Sequence, residues 1–259
     1  MECSLNFETP FKDFRKHSPL KETRFIIAVG SGKGGVGKTT LSVLLALALK
    51  EEGFSVGIYD LDFYGPNVLL ILDSSQKTPL LSLEGYKPVD IQGIKVMSLS
   101  LLISEKEPIF MRGLMAGKLL QELTQRVFWG PLDFLILDLP PGTGDIFLTM
   151  LDLFSPDGFL LVTTPHKLSL WDTRRTISIL KEKNIPLLGI VKNMSGLFKK
   201  EEAFQNFLDE IKIPLICEIP FMEELSERES LIEISKENKY RDLMESLAKG
   251  VLKKIFRFH

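Results

Sequence analysis

The chain has 259 residues and a mass of 29.3 kDa, which fits one large α/β domain better than two small ones. Its 32 Lys+Arg nearly balance 34 Asp+Glu, leaving a formal net charge of -2, and this excludes a protein that grips nucleic acid through bulk positive charge. A hydrophobic share of 44% with 25% charged residues excludes a disordered chain. Mean hydropathy is +0.11, yet the longest apolar runs, such as Leu41–Leu49, reach about half of the ~20 residues needed to cross a bilayer. The start, MECSLNFETPFKDFRK, has charges and no apolar stretch of the kind a secretory leader carries. Two cysteines, Cys3 and Cys217, cannot form a disulfide framework, so a reducing cytoplasm is the expected location.

In chain order, residues 1–23 carry Pro10, Pro19 and mixed charges without periodicity and read as a loose arm. Residues 24–259 then alternate between two patterns and read as one domain. Short β-branched runs at Phe25–Val29, Ser55–Tyr59, Phe134–Leu137, Phe159–Val162 and Leu187–Val191 suit strands buried on both faces. Helical patterns separate them at Thr39–Glu52, Gly113–Val127, Asp145–Leu153, Leu168–Lys183 and Lys199–Lys212. Such alternation predicts a mostly parallel sheet with helices on both faces. Leu80–Ser100, with Gly85, Pro88 and Gly93, reads as a β-hairpin insertion. A short strand at Pro214–Glu218 and a last helix near Lys236–Ile255 complete the chain.

The strongest signal is GSGKGGVGKTT, Gly30–Thr40. It holds G-x-x-x-x-G-K-T between an apolar strand and a helix, the context in which this loop binds phosphate. Gly32, Gly34, Gly35 and Gly37 allow torsions and close approaches that a Cβ forbids. The amides of this stretch, through Lys33, Val36 and Thr40, then make a nest for phosphate oxygens at a helix N-terminus. Lys38 can bridge the terminal phosphates, and the Thr39 hydroxyl can ligate Mg²⁺. Asp60 and Asp62, in IYDLDFYGPN, lie two residues apart after the second strand and so point to one side of an extended chain. One can support the metal's water shell while the other aligns an attacking water; a polar strand-end turn is the alternative. Asp138 ends the apolar run FLILD, where a carboxylate would hold Mg²⁺, partly through water. The following PPGTG is stiff enough to act as a switch beside a γ-phosphate, and Asp145 suits a helix N-cap or first turn. Asn193, in GIVKNMSG, either pairs with a base edge or sits in a turn.

The second lysine of KGGVGK, Lys33, resembles the signature of the deviant Walker A ATPases, the MinD/ParA/Mrp class. DLDFYGPN, MRGLMAGKLLQEL (with Leu114 where proline is usual), WGPLDFLILDLPPGTGDIFLTM, LWDTRRTI and GIVKNMS are similar to the Mrp-like P-loop ATPases, the iron–sulfur cluster carrier family. The resemblance spans roughly residues 24–221. It implies a three-layer P-loop NTPase fold and a homodimer sandwiching two ATP, with Lys33 reaching the partner's nucleotide. It further implies Asp62 as the water-positioning residue, Asp60 as a supporting one, Asn193 as the base reader and apo iron–sulfur proteins as clients. Carriers of this family usually bear a C-x-x-C pair after N-M-S, supplying thiolates for a bridging [4Fe–4S] cluster. Here NMSGLFKKEEAFQNFLDE has no cysteine, and Cys217 reads as a buried strand residue. Catalysis is thus expected from Lys33, Lys38 and Asp62, with Thr39, Asp60 and Asp138 on the metal. The basic, apolar C-terminus SLAKGVLKKIFRFH suits either a short membrane-surface helix, as in a MinD-like positioning switch, or a helix packed on the body.

Overall fold

The structure, a computed structural model, describes residues 13–62, 65–72, 79–82, 85–102, 114–198, 201–227 and 231–258. Cys3, most of the expected arm, Phe63 and Tyr64 of the DLDFYGPN segment, Arg112 and Gly113, and Lys199 lie outside the described residues.

Ten strands and nine helices are numbered in chain order among the described residues: β1 (Thr23–Gly30), α1 (Lys38–Glu51), β2 (Val56–Asp60), α2 (Val68–Ile71), β3 (Leu80–Leu81), β4 (Tyr86–Lys87), β5 (Val89–Ile91), β6 (Ile94–Ser98), α3 (Leu114–Gln125), β7 (Leu132–Asp138), α4 (Asp145–Phe154), β8 (Gly158–Thr163), α5 (Lys167–Glu182), β9 (Leu187–Ser195), α6 (Glu201–Ile211), β10 (Leu215–Pro220), α7 (Glu223–Glu227), α8 (Leu231–Ser235) and α9 (Asn238–Phe258). Eight strands form one sheet in the order β10-β9-β8-β1-β7-β2-β6-β5, parallel throughout except for β5 against β6. Strands β1, β2, β7 and β8 are apolar at nearly every position because helices cover both faces. One core is built around α1 and α9 and includes Ile27, Val43, Ile58 and Leu247; the other joins Ile26, Leu135, Phe154 and Phe207 on the opposite side. The expected α/β architecture is therefore the one observed.

Three regions refine it. The stretch read as a hairpin insertion does contain a hairpin, β5–β6, but the hairpin is part of the main sheet. Strand β6 pairs in parallel with β2, putting Ser98 opposite Asp60, because Ile94 and Val96 face one core and Met97 the other. Among the described residues, β3–β4 stands apart as a small antiparallel pair. At the C-terminus, Tyr240, Met244, Leu247, Ala248, Val251 and Ile255 recur at helical spacing and are all buried against α1 and β10. The apolar stripe of α9 is thus spent on the core, with Lys253, Lys254 and Arg257 left towards solvent or only partly covered. Within the stretch read as an arm, Arg15–His17 and Pro19–Glu22 form two 3₁₀ turns. Phe14 and Leu20 are buried there, and Arg15 pairs with Asp157 at 2.7 Å.

Candidate functional site: a phosphate loop over two buried carboxylates

Strand β1 delivers the chain at Gly30 into the glycine loop, and Gly37, at φ +83°, caps α1 in the left-handed region. The first turn of α1 therefore opens with its amides directed at the loop's concavity. Gly32 is required for another reason. A Cβ there would lie 2.5 Å from the backbone carbonyl carbon of Asp172, so the first turns of α5 press directly on the loop. On the other side, the Gly142 amide donates to Ser31 O at 3.1 Å, and a Cβ on Gly34 would sit 3.8 Å from Pro141. The PPGTG segment thus lies against the phosphate loop. Asp145 occupies the first turn of α4, after Gly144 at the N-cap.

Sheet register brings the carboxylates together. Asp138 pairs with Val29 of β1 on one side and with Asp60 of β2 on the other, so both acids stand at the carboxyl ends of adjacent strands beside the loop. Ligands of open α/β sheets bind at this edge. Asp138 is fully buried and saturated with donors. Lys38 Nζ donates to Oδ1 at 2.7 Å, Thr39 Oγ1 to Oδ2 at 2.8 Å, and Ser42 Oγ to Oδ1 at 2.8 Å. Asp60 accepts the amides of Asp62 and Val68 at 3.2 and 3.3 Å. Its burial, and after that the charge of Asp138, push its carboxyl up to about 7. Two buried acids sharing one ammonium are short of positive charge. A divalent cation would correct this, and Thr39, Asp60 and Asp138 supply the hard oxygens that Mg²⁺ takes. Among the described residues no group of three or more His, Cys, Asp and Glu is arranged to hold a metal. A phosphate-loop magnesium draws its other ligands from nucleotide and water, so the donor set fits.

Asp62 is half-buried one step beyond Asp60, and its Oδ1 accepts the Gly65 amide at 3.2 Å. Lys33 is exposed at the crest of the loop, whose backbone is fastened below by Ser31 Oγ donating to Lys33 O at 2.9 Å. Asn193 is brought to the loop from β9, with its Nδ2 donating to Val36 O at 2.8 Å. It lines a pocket of about 200 Å³ together with Gly35, Gly37, Thr40, Met194 and Phe221. That slot is apolar on the Phe221 side and adjoins the helix N-terminus, as a base beside its phosphates requires. Two partners escaped the sequence reading. Ser42 lies one helical turn after Lys38, a spacing that could have revealed it. Ser98 Oγ donates to Asp60 at 3.4 Å, and only the β2–β6 pairing makes that contact. Cys217, the described cysteine, is buried on the edge strand β10, and burial pushes its thiol up to about 12.

A glycine loop at a helix N-terminus, a lysine and threonine on a strand-end aspartate and an eight-stranded mostly parallel sheet define a P-loop NTPase. The model of the ParA family described as NUBPL iron-transfer P-loop NTPase matches residues 22–255, and the chain belongs to this family. An iron-sulfur cluster carrier protein of Rickettsia felis is 39% identical over 208 residues, covering 80% of this chain and 65% of that protein. The chain thus spans slightly under two thirds of that relative's length. A nucleotide-binding protein of Archaeoglobus fulgidus, solved in complex with ADP, is 33% identical, with a TM-score of 0.69 over 95% of this chain and 96% of its own. The septum site-determining protein MinD of Pyrococcus horikoshii, complexed with Mg-ADP, is 25% identical, with a TM-score of 0.69 over 92% of this chain and 99% of its own. No helix among the described residues is long and apolar enough to cross a membrane.

Proposed function

We propose that the chain is a magnesium-dependent ATPase that works as a face-to-face homodimer and serves iron–sulfur cluster assembly or transfer to apo-proteins. The observation that carries the reading is the interlocked set of Lys38, Thr39 and Asp138 beneath the glycine loop. The loop amides and Lys38 take the β- and γ-phosphates. Lys38 leaves Asp138 to do so; Thr39, Asp60 and Asp138 would hold a Mg²⁺, partly through water, whose charge would compensate both carboxylates. Asp62 orients a water on the γ-phosphorus. The bond to the β–γ bridging oxygen breaks, ADP and phosphate form, and the water's proton passes to solvent. The work is positioning and electrostatics rather than covalent chemistry. Lys33, exposed beside the site, completes the nucleotide site of the second copy. Asn193 and the apolar slot beside it take the adenine. The PPGTG segment, resting on the phosphate loop, carries the nucleotide state outward.

The cluster is cargo in this reading. Cys217 is a poor ligand, because its thiol is buried among apolar side chains and burial holds its proton on. Thiolates for the cluster therefore come mainly from client or helper proteins. The same observation favours a second reading, a nucleotide-dependent adaptor that assembles cluster-handling proteins without holding a cluster. Against the membrane-switch reading, the main apolar stripe of α9 is docked on the core, although Phe256 and Phe258 at its end are exposed.

The first test is phosphate release from ATP with Mg²⁺, alongside sedimentation with and without ATP. Magnesium-dependent turnover and a doubling of mass support the ATPase dimer, and no heat of binding with ATP and Mg²⁺ defeats it. Anaerobic reconstitution with iron and sulfide, alone and beside an apo-acceptor, then separates carrier from adaptor: an absorbing cluster on the chain selects the carrier.

A further inference from the structure

We propose that Ser42 is a positioning residue for the metal-side carboxylate, the hydroxyl that keeps Asp138 oriented while Lys38 and Thr39 change partners. The inference rests on the nucleotide-binding reading above. Ser42 is fully buried on α1, behind Asp138. Its Oγ lies 2.8 Å from Asp138 Oδ1 and 3.2 Å from Lys38 O. A hydroxyl has one proton, and the ionised, closer acceptor takes it. Asp138 therefore has three side-chain donors, and two of them have other duties. A phosphate in the loop competes for the Lys38 ammonium. A magnesium ion competes for the Thr39 oxygen, whose proton then turns away from the carboxylate. Both donors are thus diverted in the same event, when Asp138 needs a fixed orientation most. A buried carboxylate left without donors is costly and free to rotate.

Ser42 alone of the three has no solvent-facing ligand to serve, since none of its surface is exposed. It holds Oδ1 in both states and so leaves Oδ2 facing the Thr39 side, where the metal's shell forms. Hydrogen bonds to ligating carboxylates of this kind change metal affinity by about 10- to 100-fold. Val43, the next residue on α1, is equally buried but in the aliphatic core, and it provides the control for mere helix damage.

The experiment titrates Mg²⁺ against ADP binding by calorimetry in the full chain, the Ser42→Ala variant and the Val43→Ala variant. In Ser42→Ala, ADP affinity in chelator should stay within about twofold of the parent. The Mg²⁺ concentration giving half of the metal-dependent tightening should rise about 10- to 100-fold. In Val43→Ala the melting temperature should fall while the Mg²⁺ midpoint stays put. An unchanged midpoint in Ser42→Ala, or an equal shift in Val43→Ala, overturns the role of Ser42 and leaves the nucleotide site standing. A parent chain that binds no ADP with or without Mg²⁺ overturns the nucleotide reading and this inference with it.

Discussion

The centre of the sheet and its β9–β10 edge carry opposite chemistry. At the centre, β7 and β2 end in two buried carboxylates: Asp138 is bonded to Lys38, Thr39 and Ser42 of α1, and Asp60 to Ser98 of β6. At the edge, Cys217 lies among apolar neighbours, and the buried Lys192 reaches the exposed Glu218 at 3.0 Å. Buried polar groups are tolerated only where partners satisfy them. The centre meets that condition with a network that a metal nucleotide can re-partner. The edge meets it pair by pair, with the buried Lys192 on Glu218 and Asn193 on Val36 O. The ionisable groups beside the phosphate loop are thus gathered at the centre, whereas the thiol of the edge is buried among apolar side chains.

The sharpest way to break this contrast is to remove the central cation. Lys38→Ala strips the phosphates of their counter-charge and leaves Asp138 short of a partner, so ATP turnover should fall at least ~100-fold in a phosphate-release assay. Turnover within a few-fold of the parent would mean that the central network is structural only. Asp62→Ala should also lower turnover by ~100-fold, but with ATP affinity nearly unchanged by calorimetry, because Asp62 acts on the water rather than on the phosphates.

The helix that joins the two regions should matter to folding and not to chemistry. Leu247→Ala removes a fully buried side chain from the α9 face and should cost about 2–5 kcal/mol in denaturant unfolding. Turnover per folded molecule should hold, and a selective loss of turnover would mean that α9 acts on the site directly. Asn193→Ala deletes one hydrogen bond to Val36 O and should weaken ATP binding by about tenfold or less, the scale of one such bond.

The smallest effect belongs to the edge. The Cys217 thiol stays protonated in the folded chain until about 12, against 9.0 for an unperturbed one. Unfolded chains therefore release this proton first as pH rises, so the group's contribution to stability is intact below about 9 and is lost between 9 and 12. Cys217→Ala should flatten that part of the alkaline unfolding curve. At pH 8 the native thiol should resist alkylation, read at this site by mass spectrometry, and should react once the chain is unfolded. Rapid alkylation of the native chain would place an open thiol at the edge and revive it as a cluster ligand.

Local order wrote much of this into the chain. The glycine loop, its flanking strand and helix, and the aspartates ending β2 and β7 follow from spacing and periodicity, because nest geometry and strand burial act over a few residues. The Asn193 brace on Val36 spans 157 positions, and the Asp138 bonds to Lys38, Thr39 and Ser42 span about 100. No periodicity carries such distances. The segment 80–100 shows the same limit: its hairpin was legible, but its place in the main sheet depends on the open edge of β2.

Sequence by itself determined the alternation of strands and helices, the phosphate cradle and the absence of a paired-cysteine motif, since each is a property of neighbouring residues. Tertiary structure alone decided which hydroxyls hold Asp138, that Asp60 and Asp138 stand side by side on adjacent strands, and that α9 spends its apolar stripe inside. Those facts arise where strands distant in the chain come into register, and the burial created there sets how far each charge must be compensated.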